Sequence, residues 1–269
     1  MLPTGRLYLY AIMRNSITLN GAAKCTGCEN RSHNYFCELP HEVGKALDAI
    51  KFSRSFPKGS IIFLEGQPAH GVYILCEGKV KITSSSPDGK VIILDIVSPG
   101  SLMGLSSVMS GGNFETTAAS IEDAVVNYIS APDFDRFLHE HPAACFNAAV
   151  QLSSSLQRAT RQVCALGLGE SVADKLATLF LDWSSGMHCN GNSIVIRNAF
   201  THEDIARMIG TSRETVTRAL RTFREIGVVT LKGSELVIHD RERLRSVIGC
   251  RLQASRNDGL NMNGNGNAL

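Results

Sequence analysis

The stretch THEDIARMIGTSRETVTRALRTFREIG, at positions 201–227, constrains the fold of this chain more than any other. Apolar residues recur at intervals of three and four on both sides of Gly210, which is the period of an amphipathic helix. The apolar stripe of the second helix consists of Val216, Ala219, Leu220 and Phe223. Gly210 lacks a Cβ and permits a sharp turn. The stretch therefore predicts a helix-turn-helix unit whose first helix covers His202–Ile209.

The face of the second helix opposite that stripe carries side chains that can read DNA. It presents Glu214, Thr217, Arg218 and Arg221. Guanidinium, carboxylate and hydroxyl groups hydrogen-bond to base edges in the major groove, and arginine forks also match phosphate oxygens. We therefore predict that the residues in contact with DNA are Thr211, Ser212, Arg213, Glu214, Thr217, Arg218 and Arg221.

A pair of amphipathic helices also occurs inside enzyme domains, but an arginine-rich face disfavours that interpretation here. The helix carries Arg213, Arg218, Arg221 and Arg224, and a merely solvated face rarely needs so many guanidinium groups. Thr201 with Asp204, and Thr211 with Glu214, fit the N-terminal capping pattern. Glu214 thus has two interpretations, as a cap of its own helix or as an acceptor for cytosine N4.

Charge and cysteine content narrow the class of protein. The net charge is only +2, but residues 197–251 carry eleven Lys or Arg and seven Asp or Glu, so positive charge is concentrated around the helix-turn-helix. The apolar run over Leu7–Met13 is at the lower limit for an export signal, and no run approaches the roughly 20 apolar residues of a membrane span. Eight cysteines then favour reduced thiols or metal ligands over disulfides. We expect a cytoplasmic protein with no membrane partner.

The chain divides into five segments by composition and periodicity. Short β-branched runs between glycines predict a sandwich or jelly roll, with strands at Ile61–Leu64, Val72–Leu75, Val80–Thr83, Val91–Ile96 and Val125–Ile129. We predict a cysteine-bearing arm over residues 1–40, a β-rich domain over 41–138, a dimerisation helix over 139–168, a DNA-binding domain over 169–250 and a disordered tail over 251–269.

The predicted dimerisation helix is long and has a narrow apolar seam. Pro142 is well placed to open it. The seam consists of Phe146, Ala149, Leu152, Leu156, Ala159, Val163 and Leu166. Because polar residues flank this seam, it is more typical of a coiled coil than of a helix packed on its own domain. We therefore predict a homodimer, with Gly167-Leu168-Gly169 as a hinge after the helix.

The motif Ser212-Arg213-Glu214-Thr215-Val216-x-Arg218 resembles the recognition helix of the cyclic-AMP receptor/fumarate–nitrate regulator (Crp/Fnr) family. Glu203-Asp204-Ile205-Ala206 and the strand pair predicted after Gly227 are also similar to that family's winged helix, and the resemblance runs from about Phe56 to Val247. It implies an α+β fold with a double-stranded β-helix (jelly-roll) sensor domain, a dimerisation helix and a winged helix-turn-helix. It also implies a homodimeric transcription regulator that binds palindromic DNA with TGTGA-like half-sites and works with RNA polymerase.

The resemblance argues against cyclic AMP as the signal. Members that bind this nucleotide carry a Glu for the ribose hydroxyl and an Arg for the cyclic phosphate in the roll. Here the corresponding positions are Leu105 and Thr116. A buried phosphate without a cation is very costly, so we predict that cyclic nucleotides do not bind.

The N-terminal cysteines suggest a metal site. Cys25 and Cys28 have C-x2-C spacing and Cys37 follows nine residues later, a pattern that can hold an iron–sulfur cluster. The oxygen-sensing branch of the family has a similar group plus a distant cysteine, but the corresponding distant position here is Asn127. A fourth ligand would come from Cys76, His33, Glu29 or Glu38, although the place of Cys76 at a strand end favours a buried core thiol. Zinc at Cys25, Cys28, His33 and Cys37, or no ligand, stays open. The remaining cysteines, Cys145, Cys164, Cys189 and Cys250, are expected to be ordinary small hydrophobes.

The sequence thus predicts a sequence-specific transcription regulator that responds to an intracellular signal. One alternative is a non-specific architectural DNA-binding protein, and another is a regulator that senses a small ligand in the roll. An enzyme is disfavoured because no Cys–His–acid set and no phosphate-binding loop is present.

Overall fold

The computed structural model describes residues 17–18, 25–28, 36–167, 171–184, 193–197, 200–233 and 235–248. The chain forms two compact units, Met1–Arg161 and Gln162–Leu269, and each is described by itself. The division falls inside the long helix rather than after it. The predicted hinge residues Leu168 and Gly169, the predicted tail and most of the predicted arm lie outside the described residues.

The first unit contains two antiparallel sheets. Its strands are β1 (Ile17–Thr18), β2 (Phe52–Phe56), β3 (Ile61–Phe63), β4 (Gly71–Glu77), β5 (Val80–Ser85), β6 (Val91–Val97), β7 (Leu102–Met103), β8 (Thr117–Ser120) and β9 (Ala124–Ser130). One sheet has the order β1-β2-β9-β4-β7 and the other has the order β3-β8-β5-β6. The helices of this unit are α1 (His41–Ile50), α2 (Leu105–Ser110), α3 (Ala131–Glu140) and α4, which runs over Pro142–Gly167. This arrangement confirms the predicted β-roll.

The predicted strands are present, each within a few residues of its expected bounds, but the sequence did not predict four others, β1, β2, β7 and β8. Strand β2 reads FSRSF, and its polar residues hide the alternation that signals a strand. Strand β7 has only two residues and β8 has four, too short for a periodic pattern. Strand β2 forms because β9 pairs with it over its whole length, from Phe52 with Tyr128 to Phe56 with Ala124. Pairing between distant segments therefore completed the sheets.

Helix α4 begins at Pro142 as predicted and has two distinct faces. One face, with Ala144, Ala148 and Leu152, packs on an apolar cluster of the roll. The other exposes Phe146, Leu156 and Val163, each with nearly 70% of its surface accessible. Leu152 therefore belongs to the core-facing side and not to the predicted seam, because the first three turns of α4 pack on the roll. The rest of the described seam is exposed.

The second unit is a winged helix-turn-helix. Its elements are α5 (Val172–Trp183), β10 (Ile194–Arg197), α6 (His202–Ile209), α7 (Arg213–Glu225), β11 (Val229–Lys232), β12 (Glu235–Ile238) and α8 (Arg241–Val247). The three strands form a sheet of order β10-β12-β11. The sequence predicted the hairpin β11–β12 but not β10, which pairs with β12 over four residues. Among the described helices, none is long and apolar enough to cross a bilayer.

Candidate functional site

Helix α6 and the turn after it hold α7 in place. Thr201 and Asp204 form a capping box: the Thr201 hydroxyl accepts the Asp204 N–H at 3.1 Å, and the Asp204 carboxylate accepts the Thr201 N–H at 3.2 Å. At the other end of α6, Gly210 adopts a φ of 67°, a left-handed conformation that favours glycine. The Thr211 N–H then donates to the Ala206 carbonyl at 3.0 Å. The predicted helix-turn-helix therefore closes through local hydrogen bonds.

The cap of α7 is Ser212 and not Thr211, which corrects the sequence prediction. The Ser212 hydroxyl accepts the Thr215 N–H at 3.3 Å, whereas Thr211 belongs to the turn because its N–H closes back on α6. Glu214 lies in the first turn of α7, where acidic side chains are favoured by the helix dipole. Hydrogen bonds from its own backbone N–H and from Ser212 lower the pKa of Glu214. The carboxylate is therefore engaged at the helix start.

The predicted DNA-contact residues within α7 share one outward face, and Thr211 and Ser212 lie just before the helix. Ser212, Arg213, Glu214, Thr217, Arg218 and Arg221 are exposed, and Thr211 is half-buried. The opposite stripe is inward, as predicted, with Val216, Leu220 and Phe223 buried in the core of the unit. Arg221 pairs with Glu225 at 2.9 Å, an exposed contact that DNA phosphates can replace. The geometry of α7 thus matches a helix that presents basic side chains to a groove.

The structure adds His202 to this surface. Its Nδ1 lies 2.9 Å from the Thr217 hydroxyl, which itself donates to the Arg213 carbonyl at 2.9 Å. The sequence did not single out this contact, because His202 and Thr217 are on different helices and only the packing of α6 on α7 joins them.

A second site is a cysteine-lined cavity in the first unit, which we call the cysteine pocket. Its cavity volume is about 20 Å³, which is room for about one water molecule. Its lining includes the four thiols of Cys25, Cys28, Cys37 and Cys76, and apolar side chains such as Leu39, Leu47 and Ile74. The structure thus brings together the three predicted arm cysteines and the candidate fourth one. Cys76 is half-buried at the pocket rather than the buried core thiol that its place in the sequence favoured.

A β-bulge explains why Cys76 reaches the pocket. In the pairing of β4 with β9, Leu75 is opposite Val126 and Glu77 is opposite Val125, so Cys76 is the extra residue between them. A bulge redirects the side chains around it, and Ile74, Leu75 and Cys76 all line the pocket in spite of strand alternation. Strand pairing, which the local sequence does not reveal, decides this placement.

The arm cysteines are held by contacts with the roll and with α1. Cys25 begins a short 3₁₀ turn over Cys25–Gly27, and its N–H donates to the Asp48 carboxylate at 2.8 Å. The Cys37 thiol donates to the Gly100 carbonyl at 3.4 Å. Cys25 and Cys37 are therefore anchored to different elements of the same unit.

Burial and neighbouring thiols raise the pKa values of Cys37 and Cys76. Burial, followed by the charges of Cys25, Cys76 and Cys28, raises the pKa of Cys37 to about 12. Burial, followed by the charge of Cys25, also raises the pKa of Cys76 to about 12. These values describe the metal-free pocket, where several thiolates would repel one another. A bound cation removes that repulsion and favours the thiolate form.

Of the other predicted ligands, the structure describes only Glu38, which does not line the pocket. Glu38 is exposed, while Glu29 and His33 lie outside the described residues. Within the described ranges, no three His, Cys, Asp or Glu side chains already stand at metal-ligand spacing, so a cluster would require the four thiols to draw together.

The cysteines that were expected to be small hydrophobes are only partly described. Cys145 is exposed on α4, which corrects the expectation that it packs as a small hydrophobe. The side chain of Cys164, together with Cys189 and Cys250, lies outside the described part of the chain.

Leu105 lies in an apolar cluster of the roll, and Thr116 is half-buried. Leu105 is buried and opens α2. Nearby, Phe114 stacks on Phe63 with ring centroids 4.2 Å apart and approaches Tyr73 at 6.2 Å. A carboxylate and a guanidinium would be needed to hold a ribose and a phosphate here, and Leu105 and Thr116 supply neither.

Two family models match the chain. One, described as a cyclic nucleotide-binding domain, matches residues 53–141, and the other, described as a Crp-like helix-turn-helix domain, matches residues 174–247. Together they span more than half of the chain. They coincide with the β-roll and with the winged helix-turn-helix.

Several known proteins are similar over most of the chain. A CRP-like cAMP-activated global transcriptional regulator of Mycobacterium tuberculosis is 29% identical over 190 residues, 70% of this chain and 84% of that protein. An anaerobic regulatory protein of Bacillus subtilis is 27% identical over 215 residues, 79% of this chain and 90% of that protein. The structure of FixK2 from Bradyrhizobium japonicum has a TM-score of 0.66 at 23% identity, over 74% of this chain and 97% of that one. This structural similarity shows a common fold.

Proposed function

Because the chain belongs to the Crp/Fnr family of DNA-binding transcription regulators, we propose that it is a homodimeric, sequence-specific regulator that receives its signal through an iron–sulfur cluster in the cysteine pocket. The family consists of regulators and not of enzymes. The proposal rests on one observation: four cysteines, from three separate parts of the sequence, line one mostly apolar cavity.

The donor set fits an iron–sulfur cluster. Four cysteine thiolates are the usual ligands of such clusters, and the surrounding apolar side chains limit access of water. Cys76 completes a set of four thiols, so no carboxylate or histidine is required. Asn127, at the position where the resemblance implies the distant ligand, lines the same cavity. When bound, the cluster would supply sensitivity to oxygen or to redox state, whereas zinc, which four thiolates also suit, would supply structure only.

The pocket adjoins the helix that we propose for dimerisation. Cys37 and Leu39 belong to the same apolar cluster as Ala144 and Ala148 of α4. Next to Cys37, the Glu38 carbonyl accepts a hydrogen bond from the Asn147 amide at 3.0 Å. A change at the cysteines would therefore act directly on α4.

The exposed apolar face of α4 supports a homodimer. Phe146, Leu156 and Val163 each expose nearly 70% of their surface, and the spacing of such residues suits a coiled-coil seam. In the dimer, the signal would change the alignment of the two recognition helices with half-sites one helical turn apart. We propose TGTGA-like half-sites, and we propose that the bound dimer contacts RNA polymerase.

Cyclic AMP is not the proposed signal, although one matched relative is named for activation by it and another is named for anaerobic regulation. Leu105 and Thr116 provide no charge for a ribose or a phosphate. Calorimetric titration with cyclic AMP and cyclic GMP should show no saturable binding at millimolar nucleotide. A micromolar dissociation constant would refute this part of the proposal.

Anaerobic purification tests the cluster. The full-length protein should absorb broadly near 400 nm, should contain stoichiometric iron and sulfide, and should lose its colour in air. Cys28→Ser and Cys76→Ser should each lose the colour. Cys145→Ser is the matched control, because Cys145 is exposed and outside the pocket, and it should keep the colour.

The alternatives give different results in the same experiment. If the protein contains stoichiometric zinc and no iron, the pocket is a structural zinc site and not a redox sensor. If the purified protein contains no metal and still binds DNA with full affinity, both metal hypotheses are refuted and the signal would have to be sensed in the roll. A footprint on palindromic DNA is the second arm, since a non-specific architectural protein would give no sharp protected site.

A further inference from the structure

A buried cation lies beside the cysteine pocket. Lys51 directly follows α1, and only 7% of its side chain is exposed. Its ammonium is 2.8 Å from the Asp48 carboxylate, whose side chain is 19% exposed. An ammonium is rarely buried, because its desolvation is costly unless it is paired and hydrogen-bonded. Stabilisation of the helix alone therefore does not explain why Lys51 is buried at this position.

The contacts of this pair converge on Cys25. The Lys51 ammonium donates to the Cys25 sulfur at 3.2 Å. The same Asp48 oxygen that pairs with Lys51 also accepts the Cys25 N–H at 2.8 Å. Asp48 thus positions both the backbone of Cys25 and the cation that touches its sulfur.

A second ion pair in α1 provides a comparison for the pair of Asp48 and Lys51. Glu42 and Lys45 have the same spacing of three residues and are 3.0 Å apart, but their side chains are 81% and 57% exposed. That pair is an ordinary surface contact, which contributes little. The difference between the two pairs is burial and the sulfur of Cys25.

We propose that Lys51 is a positioning residue of the cysteine pocket, which donates a hydrogen bond to the Cys25 sulfur and offsets the negative charge of the thiolates when a cluster is bound. This inference rests on the proposed function, because it assigns a role around the cluster. Net charge and hydrogen bonds to the sulfurs set the reduction potential of such clusters. The buried ammonium supplies both.

The test compares variants of the full-length protein, loaded anaerobically with iron and sulfide. Lys51→Met removes the charge and keeps the apolar stem, and Asp48→Asn/Lys51→Met removes both charges so that no unpaired buried carboxylate remains. Loss of an outer hydrogen-bonding partner typically weakens metal binding about 10–100-fold. Both variants should therefore release iron to a chelator faster by about that factor. Lys45→Met should release iron at the wild-type rate.

A second readout separates this role from a purely structural one. The midpoint potential of the cluster should become more negative in Lys51→Met, because removal of a nearby positive charge disfavours the reduced form. Thermal unfolding of the metal-free variants checks that they fold, and the double variant keeps the test valid if Lys51→Met alone is unstable.

The outcomes distinguish this inference from the proposed function. If wild-type protein holds iron and sulfide, and both variants match it in release rate while Lys51→Met matches it in potential, the role of Lys51 is overturned and the sensor is left intact. Wild-type protein that holds neither iron nor sulfide would overturn both.

Discussion

Helix α7 and the cysteine pocket carry function in opposite ways. The candidate DNA contacts of α7 lie between Thr211 and Arg221 and face solvent, whereas the pocket takes its thiols from positions 25 to 76 and turns them inward. The helical period determines where the candidate DNA contacts lie, whereas strand pairing and loop packing determine where the thiols lie. Charged side chains on α7 keep their water until DNA replaces it. In the pocket, burial raises the pKa of Cys37 and of Cys76 before any ligand arrives.

The largest expected effect is on thiol reactivity. In metal-free protein, a thiol with a pKa of about 12 instead of 9.0 has about a thousandth of the thiolate at neutral pH. We expect Cys37 and Cys76 to be alkylated that much more slowly than an ordinary thiol, and the rate to rise with pH beyond 9. Mass spectrometry of alkylated peptides measures this, with the exposed Cys145 as reference. Equal labelling of all three would mean that the pocket opens readily to solvent.

The next effect contrasts the two faces of α7. Phe223 is buried and packs edge-on against Phe180 at 6.5 Å. Phe223→Ala should lower the free energy of unfolding by about 3–5 kcal/mol, because it leaves a cavity in the core of the unit. Arg218→Ala, on the exposed face, should change it by no more than about 0.5 kcal/mol. Chemical denaturation decides, and similar losses for both would deny that the two faces have separate roles.

The same arginine should matter for DNA. Arg218→Ala should weaken binding to the best palindrome by about 1–3 kcal/mol and relax the preference at one G·C pair. Competition binding against a panel of single-base variants measures the loss. If binding to random DNA falls by the same amount, Arg218 contacts phosphate only.

The smallest effect tests the corrected helix start. Ser212→Ala should destabilise the protein by about 1 kcal/mol, because Ser212 accepts the Thr215 N–H. Thr211→Ala is the matched control and should cost less, since the Thr211 contact in the turn is made by its backbone N–H. Thermal or denaturant unfolding measures the loss of stability in both variants. A larger loss in Thr211→Ala than in Ser212→Ala would show that Thr211 is the cap.

The sequence by itself determined the helix-turn-helix. The apolar spacing of Val216, Leu220 and Phe223 predicted which face is buried, and Thr201 with Asp204 predicted where α6 begins. These features depend on contacts between residues three or four positions apart, so a local pattern contains them. The same locality explains why the long helix was predicted from Pro142, and why the error at Thr211 was only one residue.

Only the tertiary structure decided the pocket. The spacing of Cys25, Cys28 and Cys37 suggested a ligand group, but the bulge that aims Cys76 at the same cavity arises from pairing β4 with β9. The side of α4 on which Leu152 packs, and the burial of Lys51 against Cys25, likewise depend on segments far apart in the chain. Such contacts form because the whole unit must bury its apolar surface, and no local spacing records which distant segment supplies the partner.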